Sequence, residues 1–472
     1  MRRGRSTRYA WPESEPVRVR VTPGGTLRGD VRVPGDKSIA HRWLILAATA
    51  RGRSRLVELP PSLDVRSTAA CLALVSERGR PALEAWARNI APPTEAHGST
   101  WNDDAHDEAS TTLEVEGEGR SALTEPAAPL DCGNSGTTMR LIAGTLAPAP
   151  FRSVLVGDAS LSTRPMERVA LPLREMGATV TTDDGHAPLE IVGGPLYGIS
   201  YALPIPTAQV KGAILLAGIA AEGETAVTEP ASTRDHTERA LAALGAPVII
   251  DGATITLQGV YQHDAFAAEV PGDASSAAFL VAAASLTGSE LTMHGVGLNP
   301  SRLHFLRILE RMGVRVETRQ IREELGEPVG DLWVAPGAEL RATEVAASEL
   351  PLVIDEVPVL ALMATHATGE TRFVGAAELR AKESDRLAGV ADGVRALGGD
   401  AGVEGDDLVV PGVGLRGGVA DGRGDHRLAM AFAVAAIAAD APCEIEGMEA
   451  ADVSFPGFVE TLRALGASVE AT

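Results

Sequence analysis

LREMGATV, residues 173–180, is the phrase from which the fold can be read. A helix-like segment closes on Leu-x-x-x-Gly, with the glycine just past the last turn, where a left-handed backbone ends a helix at no steric cost; a run with β-branched residues then opens a strand. The phrase recurs as LAALGAPV at 241–248, LERMGVRV at 309–316, VRALGGDA at 394–401 and LRALGASV at 462–469. Its glycines, Gly177, Gly245, Gly313, Gly398 and Gly466, stand 68, 68, 85 and 68 residues apart. Each period of 68 residues is one α/β unit, too small to bury a core alone but sufficient in threes. A sixth, weaker unit is expected to end at Ser76–Gly79. The longer interval from there to Gly177 is taken up by Pro81–Pro129, acidic and aperiodic, which reads as an exposed loop insertion without chemistry.

A second phrase recurs within the units, a Pro or Gly turn feeding a helix of small and aliphatic residues. It stands at 33–42 (VPGDKSIAHR), 131–144 (DCGNSGTTMRLIAG), 203–218 (LPIPTAQVKGAILLAG), 270–284 (VPGDASSAAFLVAAA), 352–364 (LVIDEVPVLALMA) and 422–436 (GRGDHRLAMAFAVAA). Such helices are apolar nearly all round, the pattern of helices packed on one another with sheets outside. Six of them predict an α/β protein of two domains, each with three units around buried helices. The near-identity of VPGDKS and VPGDAS marks two passages of the chain between domains, giving one domain at 35–271 and the other from 1–34 together with 272–472. A ligand between them would meet helix N-termini from both sides, which suits a multiply charged anion.

Composition narrows the class. A formal charge of -21 over 472 residues argues against nucleic-acid or anionic-membrane binding by the body as a whole. A small anion needs only a locally basic site, for which Lys37, Arg42, Arg140, Arg164, Arg234, Lys382, Arg386 and Arg427 are candidates. Cys71, Cys132 and Cys443 fit neither a disulfide scaffold nor zinc spacing, pointing to a reducing cytoplasm. The basic start MRRGRSTRYAWPESEP has no apolar core of signal-peptide length, and no charge-free run reaches membrane-spanning length; Ala429–Ala439 reads as a buried helix. Neither a dinucleotide fingerprint nor a Walker loop is present.

In PGDKSIAHR, Asp36 or Ser38 can cap the helix, leaving Lys37, Ser38 and Arg42 to face one anion. Among 42 cationic residues only Lys37, Lys211 and Lys382 are lysines, each beside an apolar helix, so each position is read as needing a compact point charge. GNSGTTMR at 133–140 offers backbone donors, with Gly136 allowing close approach and Arg140 one turn behind. Arg164 precedes a proline and can point from extended backbone into a cleft. Thr207, Gln209 and Lys211 open another apolar helix. Asp355 and Glu356 are adjacent carboxylates in an apolar setting, costly unless capping, paired or catalytic. Lys382, Glu383 and Arg386 form an alternating run in KESDR, and Arg427 enters the most apolar helix, where a cation is costly without an anion; His426 is as readable as a partner of Asp425 as a catalyst.

PGDKSIAHR, GNSGTTMR, LSTRPM, AQVKGA, ASTRDHTE, IDEVPVLA, ELRAKESDRL and GDHRLAM together resemble, in order and over nearly the whole chain, the EPSP synthase family of 3-phosphoshikimate 1-carboxyvinyltransferases. The resemblance implies a two-domain inside-out α/β barrel-like fold and transfer of the enolpyruvyl group of phosphoenolpyruvate to the 5-hydroxyl of shikimate 3-phosphate, without metal or organic cofactor, by a cytoplasmic monomer. Carried over by position, it implies that Lys37 touches both substrates, that Ser38, Arg42, Thr207, Ala208, Gln209, Asp355 and Lys382 bind shikimate 3-phosphate, and that Gly136, Arg164, Gln209, Arg386 and Arg427 bind phosphoenolpyruvate. Asp355 would accept the 5-hydroxyl proton and Glu383 would carry the proton at the methylene carbon. Glyphosate sensitivity is also implied, because Gly136 lacks the methyl of tolerant members. Some members have Ser, Tyr or Pro in place of Thr207, His236 or Leu141, and a lysine where Val453 and Ser454 stand. The wall-precursor enolpyruvyl transferases differ in having Asn at the Ser38 position and a loop cysteine, and a pure anion receptor would have no use for Asp355 and Glu383.

Overall fold

The computed structural model describes residues 17–88, 111–337 and 339–472. Its strands form six small sheets that share one plan. In the sheet of Leu130–Asp131, Arg152–Val156, His186–Val192 and Thr179–Asp183, the first pair is parallel and the next two are antiparallel. The sheets holding Ser200–Ala202, Glu344–Val345 and Gly418–Asp421 repeat that order. In these four sheets an inner helix runs between the two parallel strands, since a parallel pair needs a crossover connection; in the other two the parallel partners come from opposite sides of the passage between the cores.

The inner helices are Lys37–Thr49, Gly136–Leu146 and Ala208–Gly218 in one cluster, and Ala274–Leu286, Val357–Ala364 and His426–Ala436 in the other. All eleven residues of His426–Ala436 are buried, and so are twelve of Ala274–Leu286. Small residues make the packing close: a Cβ on Gly144 would lie 2.2 Å from the Ala213 carbonyl oxygen of the neighbouring helix. Two separate hydrophobic cores result, one of residues from Ile39 to Val270, the other of Val19–Val33 together with Ala274–Val469. The chain crosses between them at two strands that bond to each other, Asp36 N–H to Pro271 O at 2.6 Å and Asp273 N–H to Pro34 O at 2.8 Å.

Gly177, Gly245, Gly313, Gly398 and Gly466 all have left-handed backbones, as a helix stop of this type demands. The sixth unit departs from expectation. Gly79 is not left-handed, and the chain continues into the helix Arg80–Arg88 in place of the strand that follows the other five glycines. That sheet accordingly has three strands, Ala267–Glu269, Arg51–Val57 and Leu113–Glu118. Pro81–Pro129 is thus not a loop throughout: Leu83, Trp86 and Ala87 of the helix are buried, with Arg66 stacked 6.0 Å from the Trp86 ring, and Leu113–Glu118 pairs in the sheet. Residues 89–110 of the expected insertion lie outside the described residues.

Candidate active site

A cavity of about 520 Å³ opens between the two cores, and residues at the start of all six inner helices line it: Lys37, Gly136, Ala208, Asp273, Asp355 and His426. Each helix start leaves unpaired N–H groups and a partial positive charge, so six of them around one space make a strong locus for anions.

On the first core, Asp36 rather than Ser38 caps the Lys37 helix, accepting the Ile39 N–H at 3.0 Å. The Ser38 hydroxyl is thereby free to face the cavity, where Arg234 donates to it at 3.3 Å. Lys37 Nζ lies 3.0 Å from Asp64. Arg42 donates to the Ser38 carbonyl at 2.7 Å, the Thr237 hydroxyl at 2.7 Å and the Ala208 carbonyl at 3.4 Å. None of these acceptors is charged. Burial draws the Arg42 pKa down to about 10, which leaves it a cation at neutral pH. At the Gly136 helix, Ser135 caps Thr138 N–H, Arg140 donates to Gln209 Oε1 and to Pro165 O, and Gln209 donates in turn through Nε2 to Thr137 Oγ1 at 2.9 Å. A Cβ on Gly136 would lie 2.7 Å from Arg140 Nη1 and 3.6 Å from Arg164 Nη1, so the glycine lets both guanidiniums approach the helix start.

On the second core, Asp355 lies 3.3 Å from Arg386 and 3.7 Å from Arg427, and it pairs across the cleft with Arg234. Burial alone would raise its pKa, but Arg427, Arg234, Lys382 and Arg386 outweigh burial and hold it well below the usual carboxylate range. Glu383 is 2.6 Å from Arg386; burial again opposes ionisation, and Arg386 and Lys37 prevail and keep it ionised. Arg386 is fully buried under the cavity and binds Asp355, Glu383 and, at 2.8 Å, Asp425. His426 is neutral, its pKa brought down to about 3 chiefly by burial with Arg427 and Lys37 adding to it, and its Nε2 has no hydrogen-bond partner among the described residues.

Lys37, Ser38, Arg42, Gly136, Arg164, Thr207, Ala208, Gln209, Asp355, Lys382, Glu383 and Arg427 therefore line one space, and Arg386 supports it from beneath. Two readings need correction. Lys211 faces away, 1% exposed between Glu229 at 2.8 Å and Glu238 at 2.7 Å. Asp425 partners Arg386 and caps its own helix through Arg427 N–H, not His426. Neither Asp355 nor Glu356 caps with its side chain; Glu356 bonds to Ser275, and burial pushes its carboxyl up. Val453 and Ser454 are not among the residues lining the cavity. Asp64 and Arg302 do line it and carry no sequence signal of the kind used above, since neither stands in a turn feeding an inner helix.

A sequence model of EPSP synthase (3-phosphoshikimate 1-carboxyvinyltransferase) matches residues 21–78 and 101–462. The chain belongs to the EPSP synthase family. The 3-phosphoshikimate 1-carboxyvinyltransferase of Halorhodospira halophila is 49% identical over 96% of this chain and 96% of that protein, and that of Methylococcus capsulatus 46% identical over 95% and 97%. The solved EPSP synthase of Acinetobacter baumannii superposes with a TM-score of 0.81 at 37% identity, covering 97% of this chain and all of that one. The enolpyruvyl transferase NikO of Streptomyces tendae shares the fold at 21% identity and a TM-score of 0.72. The EPSP synthase sequence model skips residues 79–100, and so omits the whole of the helix Arg80–Arg88 that replaces a strand. Among the described residues, no helix is long and apolar enough to cross a membrane.

Proposed function

We infer that this cleft is the active site of an EPSP synthase that holds both substrate anions at once. The chain transfers the carboxyvinyl group of phosphoenolpyruvate to the 5-hydroxyl of shikimate 3-phosphate, releasing phosphate and 5-enolpyruvylshikimate 3-phosphate, a step toward chorismate and the aromatic amino acids. The observation that carries the division of labour is the convergence of six helix starts with two ionised carboxylates in one cavity.

Shikimate 3-phosphate lies on the first core, held by Lys37, Ser38, Arg42, Thr207, Ala208 and Gln209, with Asp355 and Lys382 at its 5-hydroxyl. Phosphoenolpyruvate lies between Lys37, Gly136, Arg164 and Gln209 on one side and Arg427 on the other, with Arg386 in the wall beneath it. Asp355 takes the hydroxyl proton as the oxygen adds to C2, while Glu383 protonates the methylene carbon; the Glu383 carboxylate then takes a proton back from the resulting methyl group as the C2–O bond to phosphate breaks, which releases phosphate and restores the double bond. In the ligand-free cleft Glu383 is ionised because cations surround it. Two bound anions offset those cations and raise its proton affinity, which primes it as the acid only when both substrates are present. The protein acts as a cytoplasmic monomer.

The test is product identification by NMR. Wild type incubated with both substrates should give vinyl resonances of 5-enolpyruvylshikimate 3-phosphate, and Asp355→Asn should bind shikimate 3-phosphate yet form product roughly a hundredfold or more slowly. No vinyl product from wild type would overturn the reaction; undiminished turnover by Asp355→Asn would overturn the role of that carboxylate.

A further inference from the structure

Arg302 belongs to no inner helix and stands in the turn before the helix His304–Arg311, yet it reaches the edge of the cavity while only 4% exposed. Its Nη1 donates to Asp36 at 2.7 Å, and its Nη2 donates to Asp273 at 2.8 Å and to the Ser275 hydroxyl at 2.8 Å. Those two aspartates occupy the same place in VPGDKS and VPGDAS, and each caps an inner helix, one from each core. They also sit on the crossing strands that bond to each other at Pro34 and Pro271. Ser275 passes the contact on to Glu356, the neighbour of Asp355. One cation thus touches the cap of the helix bearing Lys37, Ser38 and Arg42 and, through two side chains, the segment bearing Asp355. Only a planar fork with several N–H groups can serve two carboxylates and a hydroxyl together; an ammonium has the charge without the span.

We propose that Arg302 is a positioning residue that pins the crossover between the cores, so that Asp355 meets the 5-hydroxyl of a substrate held by the Lys37 helix. The proposal rests on the reaction assigned above. Buried charges in such a cluster cost desolvation that their pairing does no more than offset, so stability alone is a weak reason for an Arg between two aspartates, whereas a fixed geometry is a strong one. The first-core contacts assigned to shikimate 3-phosphate, from Lys37, Ser38, Arg42, Thr207, Ala208 and Gln209, are made without Arg302, which touches only the Asp36 cap there. Loss of the clamp should therefore appear in turnover and not in binding of that substrate alone.

Arg302→Met and Arg302→Lys are to be compared with wild type by calorimetric binding of shikimate 3-phosphate alone and by steady-state phosphate release with both substrates, on protein shown to be folded by thermal melting. The expected result for Arg302→Met is binding within about threefold of wild type and a turnover at saturation lowered by roughly tenfold to a hundredfold, with Arg302→Lys between the two. Folded Arg302→Met with wild-type turnover would overturn the proposal, and so would parallel loss of binding and turnover, which would make Arg302 a direct substrate contact. Should Arg302→Met fail to fold, Asp273→Ala removes one arm of the clamp; lowered turnover with retained binding supports the proposal, and unchanged turnover overturns it. A wild type that releases no phosphate would contradict the assigned reaction and not the clamp.

Discussion

A methyl group on Gly136 would meet Arg140 Nη1 at 2.7 Å, and Arg140 cannot easily yield because Gln209 and Pro165 O hold it. The added group would press toward Arg164, into the space assigned to phosphoenolpyruvate, where overpacking costs about 1–3 kcal/mol. Glyphosate is longer than phosphoenolpyruvate and has less room to shift. Gly136→Ala should therefore raise the glyphosate inhibition constant more than the Michaelis constant for phosphoenolpyruvate; equal changes, or a wild type indifferent to glyphosate, would contradict this. Single residues are legible in the sequence where a polar phrase opens an apolar helix, as at Lys37, Ser38 and Arg42. Lys211 satisfies the same rule and yet lies outside the site, because it follows Gln209 by two residues, about 200° around the helix, and so faces Glu229 and Glu238 on the far side. Asp64 escapes the rule because it reads as an ordinary first-turn acid, and its pairing with Lys37 exists only once two helices pack.

Helix caps carry the site's geometry at the level of elements. Asp36 caps the Lys37 helix while bound to Arg302; burial would raise its pKa, but Arg302, His236, the Ile39 N–H and Arg234 bring it from 3.8 down to about 2. A carboxylate with a depressed folded pKa stabilises the fold fully above its unfolded value, and that contribution fades as pH falls through the folded one. Denaturant titrations between pH 4 and 2 should show wild type losing about 2 kcal/mol more than Asp36→Asn, which still caps but cannot titrate; parallel curves would contradict the assignment. The five left-handed glycines make their units readable because helix stop and strand start are local events. The sixth unit is not readable in this way, since the helix Arg80–Arg88 is held by burial of Leu83, Trp86 and Ala87 against the core rather than by any capping phrase at Gly79.

In the whole molecule, the assigned substrate contacts divide between two cores that bridge the cleft through Arg234 and Asp355 and through the crossing strands. Two anions arriving among cations from both sides favour closure, because the interactions that span the gap form only in the closed state. Small-angle scattering should record a smaller radius of gyration with both ligands than with neither, and an unchanged radius at saturation would contradict closure. Phosphate release from phosphoenolpyruvate, followed with and without shikimate 3-phosphate, bears most directly on transfer in a cleft that holds both anions. One phosphate should be released per shikimate 3-phosphate consumed, and none with either substrate alone. Release from phosphoenolpyruvate alone, or none with both present, would contradict that chemistry.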